Sequence, residues 1–363
     1  MTDRRLAHIA LALVPGIGPA RLHVLLARFG TADCVLGAPL DDLAAVPGMS
    51  RPAATAVRAA RIEAAARVVD RTTSLDGCVL LPGDPGFPPA LRNIPDPPTL
   101  LFAQGDLAQL AKPAVAIVGS RSHTRYGAEV CRHLAAGSAR AGLVVVSGMA
   151  RGIDALAHRA ALDAAGTTAG VLGNGLGVVY PAANRMLYER VAAQGALLTE
   201  FPPGERPNAG SFPRRNRLIS GLARAVVVIE AREKSGALLT VDAALGQGRE
   251  VLAVPGPITS PVSTGCNRLI QHGCKPVLGL RDVLEEYGLA GVEVAAAQIP
   301  NDLTPLERQT LTLLDMERHV DQLAAALNTG TPDTLAVLTS LEIRGLVAQS
   351  PGKRFCRASP LSP

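Results

Sequence analysis

AVAIVGSRSHTRYGAEV, residues 114–130, begins as a solid apolar run, turns at Gly-Ser-Arg and continues in a helical pattern. It reads as a strand that ends and a helix that opens. Gly119 lets another backbone come close, Ser120 can cap and donate, and Arg121 stands where an anion would lie at the positive end of the helix. The same grammar recurs along the chain. Apolar runs LVVVSG (143–148), TAGVLGNG (168–175), ALLTEF (196–201), AVVVIEA (225–231), EVLAVPG (250–256) and a short KPVL (275–278) each end in glycine or a polar turn, and helical stretches follow. Strands alternating with helices predict an α/β fold, a doubly wound parallel sheet with helices on both faces. Unbroken apolar strands fit a sheet covered on both sides. Ligands of such sheets bind beyond the carboxyl ends of the strands.

The turns at those ends carry the polar residues. After the second run, Ser147 and Gly148 meet another helix start, where Asp154 and His158 are spaced i, i+4. That spacing suits an acid–base dyad or a local salt bridge. The third run gives glycines 173, 175 and 177, with Tyr180 read as a packed ring. FPRRNRLISGL (212–222) then sets Phe212 beside Arg214, Arg215, Asn216 and Arg217, with Arg206 and Arg224 near and Glu205 as the opposing charge. A ring for a base and guanidiniums for a backbone are what a single-stranded nucleic-acid groove requires. Past the fifth run, Lys234, Ser235 and Gly236 form a further anion cradle at a helix start. One phosphate needs one cradle; strand tips carrying several in a row suit a polymer of phosphates.

Outward from this centre, residues 71–112 are proline-rich with short strand-like pieces and read as an extension leading into the main domain. In residues 1–70, Val14-Pro15-Gly16-Ile17-Gly18 is echoed by Val46-Pro47-Gly48-Met49-Ser50, a helix–glycine turn–helix pattern met twice. Such turns can offer N–H groups to phosphate, but no lysine flanks either, and a small helical bundle is the simpler reading. Residues 289–302 read as a linker. Residues 303–363 show three helical stretches and a short basic hairpin, the layout of a winged helix, opened by a Thr304–Glu307 capping box.

The net charge of +5 admits an anionic partner without demanding one. The six cysteines lack paired zinc-ligand spacing, so no metal is expected and the thiols suit a reduced, cytoplasmic protein. No apolar run is long enough to span a bilayer, and the turn at Pro15-Gly16 argues against a signal peptide. The Gly-Ser-Arg turn lacks the dinucleotide fingerprint, and no carboxylate ends the second strand, which disfavours NAD. No cofactor is expected.

In order, GSR, SGMARGIDALAH, GNGLGVVYP, FPRRNRLISGL, SGALLTVDAAL, VPGP and GCNRLIQHGC resemble the DNA-processing protein A (DprA/Smf) family, densely over residues 113–280. The resemblance implies an extended Rossmann-like domain flanked by a helical (SAM or helix-hairpin-helix-like) domain and a winged helix. It implies a homodimer that binds single-stranded DNA and loads the recombinase RecA onto it in natural transformation. The DNA contacts it implies are Gly119, Ser120, Arg121, Phe212, Arg215, Asn216 and Arg217, with Ser147, Gly148 and Ser235 nearby. Two places depart from the family pattern: Asn208-Ala209-Gly210-Ser211 stands where some members carry lysine, and Gly177 where aspartate is usual. Two other readings compete. A phosphoribohydrolase of the lysine-decarboxylase-like type would need a glutamate where Ala243 stands, so no catalytic residue is assigned. A duplex-binding regulator with the sheet domain as ligand sensor is permitted by Lys353, Arg354 and Arg357 on the wing, but the expected recognition helix, Asp333 to Leu341, carries no Arg or Lys.

Overall fold

The computed structural model describes residues 3–291, 302–314, 316–344 and 346–357, which fall into two compact units, Met1–Val292 and Glu293–Pro363. The first unit opens with helices α1 (Asp3–Ala12), α2 (Pro19–Phe29), α3 (Ala32–Gly37), α4 (Leu40–Ala44), α5 (Arg51–Ala59) and α6 (Ile62–Thr73). The sheet region follows as β1 (Gly77–Leu80), β2 (Leu101–Gly105), β3 (Ala114–Val118), α7 (Arg125–Arg140), β4 (Val144–Ser147), α8 (Ile153–Asp163), β5 (Thr168–Val171), α9 (Arg185–Gln194) and β6 (Ala196–Thr199). It continues as α10 (Ser211–Leu222), β7 (Ala225–Val228), α11 (Gly236–Gly246), β8 (Glu250–Ala253), α12 (Thr264–Gln271), β9 (Lys275–Pro276) and α13 (Leu280–Glu285).

These strands make one nine-stranded sheet in the order β1-β2-β6-β5-β4-β3-β7-β8-β9. From β6 to β9 every pairing is parallel. The chain steps outward from β3 to β6, then returns to pair β7 on the other side of β3. The topological switch point therefore lies between β3 and β7, where a crevice opens at the carboxyl ends. The extension at 71–112 proves to be part of the sheet. Its hairpin β1–β2 adds an antiparallel edge, with Phe102 opposite Thr199 on β6, so the sheet is mixed.

Alternate residues face opposite layers. Ala114, Ala116 and Val118 pack with Leu218, Ile219 and Leu222 of α10 and Val241 and Ala244 of α11. The opposite face holds Phe102, Leu172 and Leu197 against α8, α9, α1 and α6. Burial of each of the larger side chains, the Val, Leu, Ile and Phe residues, stabilises the fold by about 1.5–3 kcal/mol. The repeated N-terminal turns have matched backbones: Gly16 and Gly48 sit at φ 81 and φ 77, conformations that favour glycine. Around them Leu11, Leu22, Val35, Leu43 and Val57 form a core of their own. Arg5 ties α1 to the sheet through Asp84 and the Val79 carbonyl.

The second unit runs α14 (Pro305–Leu313), β10 (Arg318–His319), α15 (Val320–Leu327), α16 (Thr331–Ile343), β11 (Val347–Ser350) and β12 (Arg354–Arg357), with strand order β10-β12-β11. This is a winged helix, opened by the Thr304–Glu307 capping box. Most of the expected linker, residues 292–301, lies outside the described residues, as does the end of the basic hairpin beyond Arg357. Among the described residues no helix is long and apolar enough to cross a membrane.

Candidate functional site

The crevice at the switch point is an open cavity of about 410 Å3, within the size range of ligand sites. Gly119, Ser120 and Arg121 line it from the β3 end, and Lys234, Ser235 and Gly236 from the turn between β7 and α11. Phe212, Arg215 and Asn216 reach it from α10. Ser147, Gly148, Arg214 and Arg217, expected in the same groove, do not line it.

Two helix N-termini follow the strands that flank this crevice, and they differ. At α7, the Thr124 amide donates to Glu230 Oε2 at 2.9 Å and its hydroxyl to Glu230 Oε1 at 2.5 Å, while Thr124 Oγ1 accepts from the Gly127 amide. Glu230, at the end of the β7 run, is buried. A Cβ at Gly127 would collide with its carboxylate, so glycine makes the seat. The anion that Arg121 was expected to mark at the start of α7 is thus the protein's own carboxylate. Arg121 instead lies with its guanidinium 5.6 Å from the centre of the Phe212 ring.

At α11, Ser235 Oγ accepts from the Ala237 amide, and the Asn216 side chain donates to the Gly236 carbonyl. The first turn carries no acidic residue, Arg232 and Lys234 are exposed beside it, and a Cβ at Gly236 would meet nothing within 4 Å. This positive helix end faces the cavity unneutralised.

The cradle expected at β4 is closed. The Ser147 hydroxyl is buried and donates to the Ile117 carbonyl at 2.6 Å. Arg215, itself buried, crosses from α10 and donates to the carbonyls of Gly148 and Val171. A Cβ at Gly148 would lie 2.6 Å from both Arg215 Nη1 and Asp154 Oδ2. Arg215 therefore ties off the ends of β4 and β5 from beneath. Burial pushes the Asp154 carboxyl up, opposed by the Arg215 guanidinium, and pushes Arg215 down, opposed by Asp154. The i, i+4 partner His158 makes neither a dyad nor a salt bridge with Asp154. It bonds Thr168 Oγ1 at 2.6 Å, and that hydroxyl donates to the Val145 carbonyl, so His158 Nδ1 carries the proton. Burial brings His158 down to about 3.

The arginines of α10 have more opposition than Glu205 alone. Arg217 bonds Glu200 Oε1 at 2.5 Å and reaches Asp96 Oδ2 at 3.2 Å. Arg214 lies 3.5 Å from Glu200 Oε2 and over the Phe201 ring, with its side chain 47% exposed. Burial raises the Glu200 carboxyl, and Arg217 and Arg214 pull it back. Where the resemblance leads one to expect a lysine, Asn208 Oδ1 accepts from the amides of Gly210 and Ser211 and organises the start of α10. Gly177, in place of aspartate, sits at φ 81, which favours glycine. Tyr180 is not packed: it is 45% exposed, and its ring centre lies 5.9 Å from that of Phe212.

The model of the family described as DNA recombination-mediator protein A matches residues 78–288, and the DprA winged helix domain matches 294–353. The chain belongs to the DNA-processing protein A (DprA/Smf) family. It is 36% identical to Protein Smf of Synechocystis over 316 residues, covering 77% of this chain and 79% of that one. It is 41% identical to DNA processing protein DprA of Streptococcus pneumoniae over 253 residues, covering 68% and 86%. The X-ray structure of DprA from Streptococcus pneumoniae superposes with a TM-score of 0.69 at 35% identity, covering 79% of this chain and 98% of that one. A Helicobacter pylori DNA processing protein A, studied for its single-stranded DNA binding mode, superposes with a TM-score of 0.53 at 29% identity, covering 58% and 95%.

Sequence reasoning missed Glu200, Glu230, Asp96 and the exposure of Tyr180. Glu200 and Glu230 had a signal: each directly ends an apolar strand, where the site residues of such sheets lie. Among the described residues no cluster of three or more His, Cys, Asp or Glu side chains is placed to hold a metal ion.

Proposed function

We propose that this protein binds single-stranded DNA along the crevice between β3 and β7. As a homodimer it hands that strand to the RecA recombinase during DNA uptake in the cytoplasm. The observation that carries the binding reading is the unneutralised N-terminus of α11, fringed by Arg232 and Lys234 and faced by Arg121 and Phe212 across one open cavity. Backbone N–H groups and cations there suit phosphates, and the ring suits a base. The family's Helicobacter pylori relative, studied for its single-stranded DNA binding mode, points the same way. In this reading Gly119, Ser120, Arg121, Phe212, Asn216, Lys234, Ser235 and Gly236 meet the strand, and Arg214 meets it at the rim. Ser147, Gly148 and Arg217 position the groove from behind, and the buried Arg215 forms part of its floor.

Binding without catalysis fits the carboxyls nearby. Glu230 is held by Thr124, Asp154 faces Arg215, and Ala243 stands where a hydrolase of related fold would carry its glutamate. Gel shifts of the full chain with single-stranded and duplex oligonucleotides across a salt series test the reading. Preference for the single strand is expected, with Arg121→Ala and Lys234→Ala each lowering the slope of log K against log salt by about one. Equal affinity for both DNAs, or unchanged slopes, would remove it. RecA filament growth on a strand precoated with single-strand-binding protein, with and without this protein, tests the hand-over.

A further inference from the structure

We infer that Tyr180 is a second stacking ring, so that the strand leaves the cavity across Phe212 and runs out over the tip of β5. This rests on the single-stranded DNA reading above. Among the chain's four tyrosines and six phenylalanines, Tyr180 and Tyr126 are the large exposed rings of the described residues, and Tyr180 lies against Phe212, which lines the crevice. Its ring is braced rather than free. Its centre is 5.9 Å from that of Phe212, the planes tilted by 41°. Its carbonyl accepts from the Tyr188 hydroxyl at 2.9 Å, which fixes the backbone beneath it. Phe212 is seated in turn on Gly173, where a Cβ would stand 3.0 Å from the ring. The rings come from different segments, the loop after β5 and the first turn of α10, and form one stepped apolar surface on an otherwise cationic edge. At 5.9 Å the rings are too close to admit a base between them, so each offers an outer face to its own base.

Arg121 explains how the row works without a strand. Its guanidinium covers Phe212 by cation–π attraction, leaving Tyr180 as the more exposed ring. A phosphate drawing Arg121 away uncovers Phe212, and successive bases then stack on the two rings. The chemistry recognised is an unpaired base, of any sequence.

The chain has no tryptophan, so its intrinsic fluorescence reports tyrosine alone. The probe is an oligothymidylate of about 20 nucleotides, added to full-length wild type, Tyr180→Phe and Tyr180→Ala. Wild type should lose tyrosine emission as the strand binds. Tyr180→Phe should lose most of that change and hold affinity within about 2-fold, since the ring remains. Tyr180→Ala should weaken binding roughly 5- to 100-fold, yet leave binding to an abasic backbone of the same length unchanged. If wild type binds and Tyr180→Ala binds equally well, or the emission change survives in Tyr180→Phe, the second ring is disproved and the crevice reading stands. If wild type does not bind the oligonucleotide, both fail together. Melting curves confirm that the variants fold, as an exposed ring allows.

Discussion

The helix ends on the two sides of β3 began with the same physics and met opposite fates. Each follows one of the strands that flank the crevice, each has a side-chain hydroxyl at its cap, and each carries partial positive charge at its first turn. At α7 the charge is answered from within, by Glu230 through Thr124. At α11 it is left facing the cavity, and Arg232 and Lys234 add to it. The same division extends outward. On the α8 side Ser147, Asp154 and His158, with Arg215 of α10, are buried and engaged with carbonyls, a hydroxyl or one another, although Asp154 and Arg215 also border the cavity. On the α11 side the polar groups face the open crevice. One half of the strand-tip edge is built for rigidity and the other for binding.

Substitutions on the rigid half should then cost stability and leave DNA affinity alone. The largest loss is expected for Arg217→Ala, which takes from Glu200, its side chain only 3% exposed, its closest cation and leaves only the longer 3.5 Å contact to the half-exposed Arg214. Urea unfolding should show a loss of about 3 kcal/mol, because an uncompensated buried charge is costly. The salt slope of strand binding should not move; a fall of about one would place Arg217 on the phosphates instead. Glu230→Ala should cost about 2 kcal/mol by the same measurement, having removed two hydrogen bonds at a helix end. Its strand affinity should not drop.

His158 gives the division a pH signature. The unfolded chain takes up the proton near 6.5, whereas the buried ring resists it down to about 3. Between those values the unfolded state holds more protons, so stability falls as pH falls, by about 2 kcal/mol from pH 7 to pH 5. The loss between the two pH values should be larger in wild type than in His158→Asn by that increment, because His8 and His133, also lowered by burial, contribute alike to both. The smallest effect is the sharpest test of the comparison. Gly236→Asp would give α11 the carboxylate that α7 already has. It should raise stability by about 0.3–1 kcal/mol and yet weaken strand binding sharply in a gel shift. If binding survives, the open end of α11 is not where the strand's charge lies.

Much of this architecture was legible beforehand. The apolar runs from Ala114 to Val277 could bury themselves only as parallel strands between helices, and a glycine or polar turn closed each one. The capping box at Thr304 and the paired glycine turns at Gly16 and Gly48 were equally local, since they depend on residues a few positions apart. The β1–β2 edge was harder to foresee, because strand pairing across Phe102 and Thr199 joins distant segments and leaves little mark on either.

The site divides by the same rule. Which residues gather at the crevice follows from chain order and from strands ending in turns, so Gly119, Ser120, Arg121, Phe212, Asn216, Lys234, Ser235 and Gly236 could be named from sequence alone. Which of them remain open could not. Glu230 reaching Thr124 across 106 positions, Arg215 crossing to Gly148 and Val171, and Arg217 meeting Glu200 and Asp96 are all long-range pairings. A charge in a sequence has no partner until the chain folds, because Coulomb attraction and desolvation depend on distance and burial in space. Composition and periodicity settled where the positive charge would collect, and only packing decided which of it stays available.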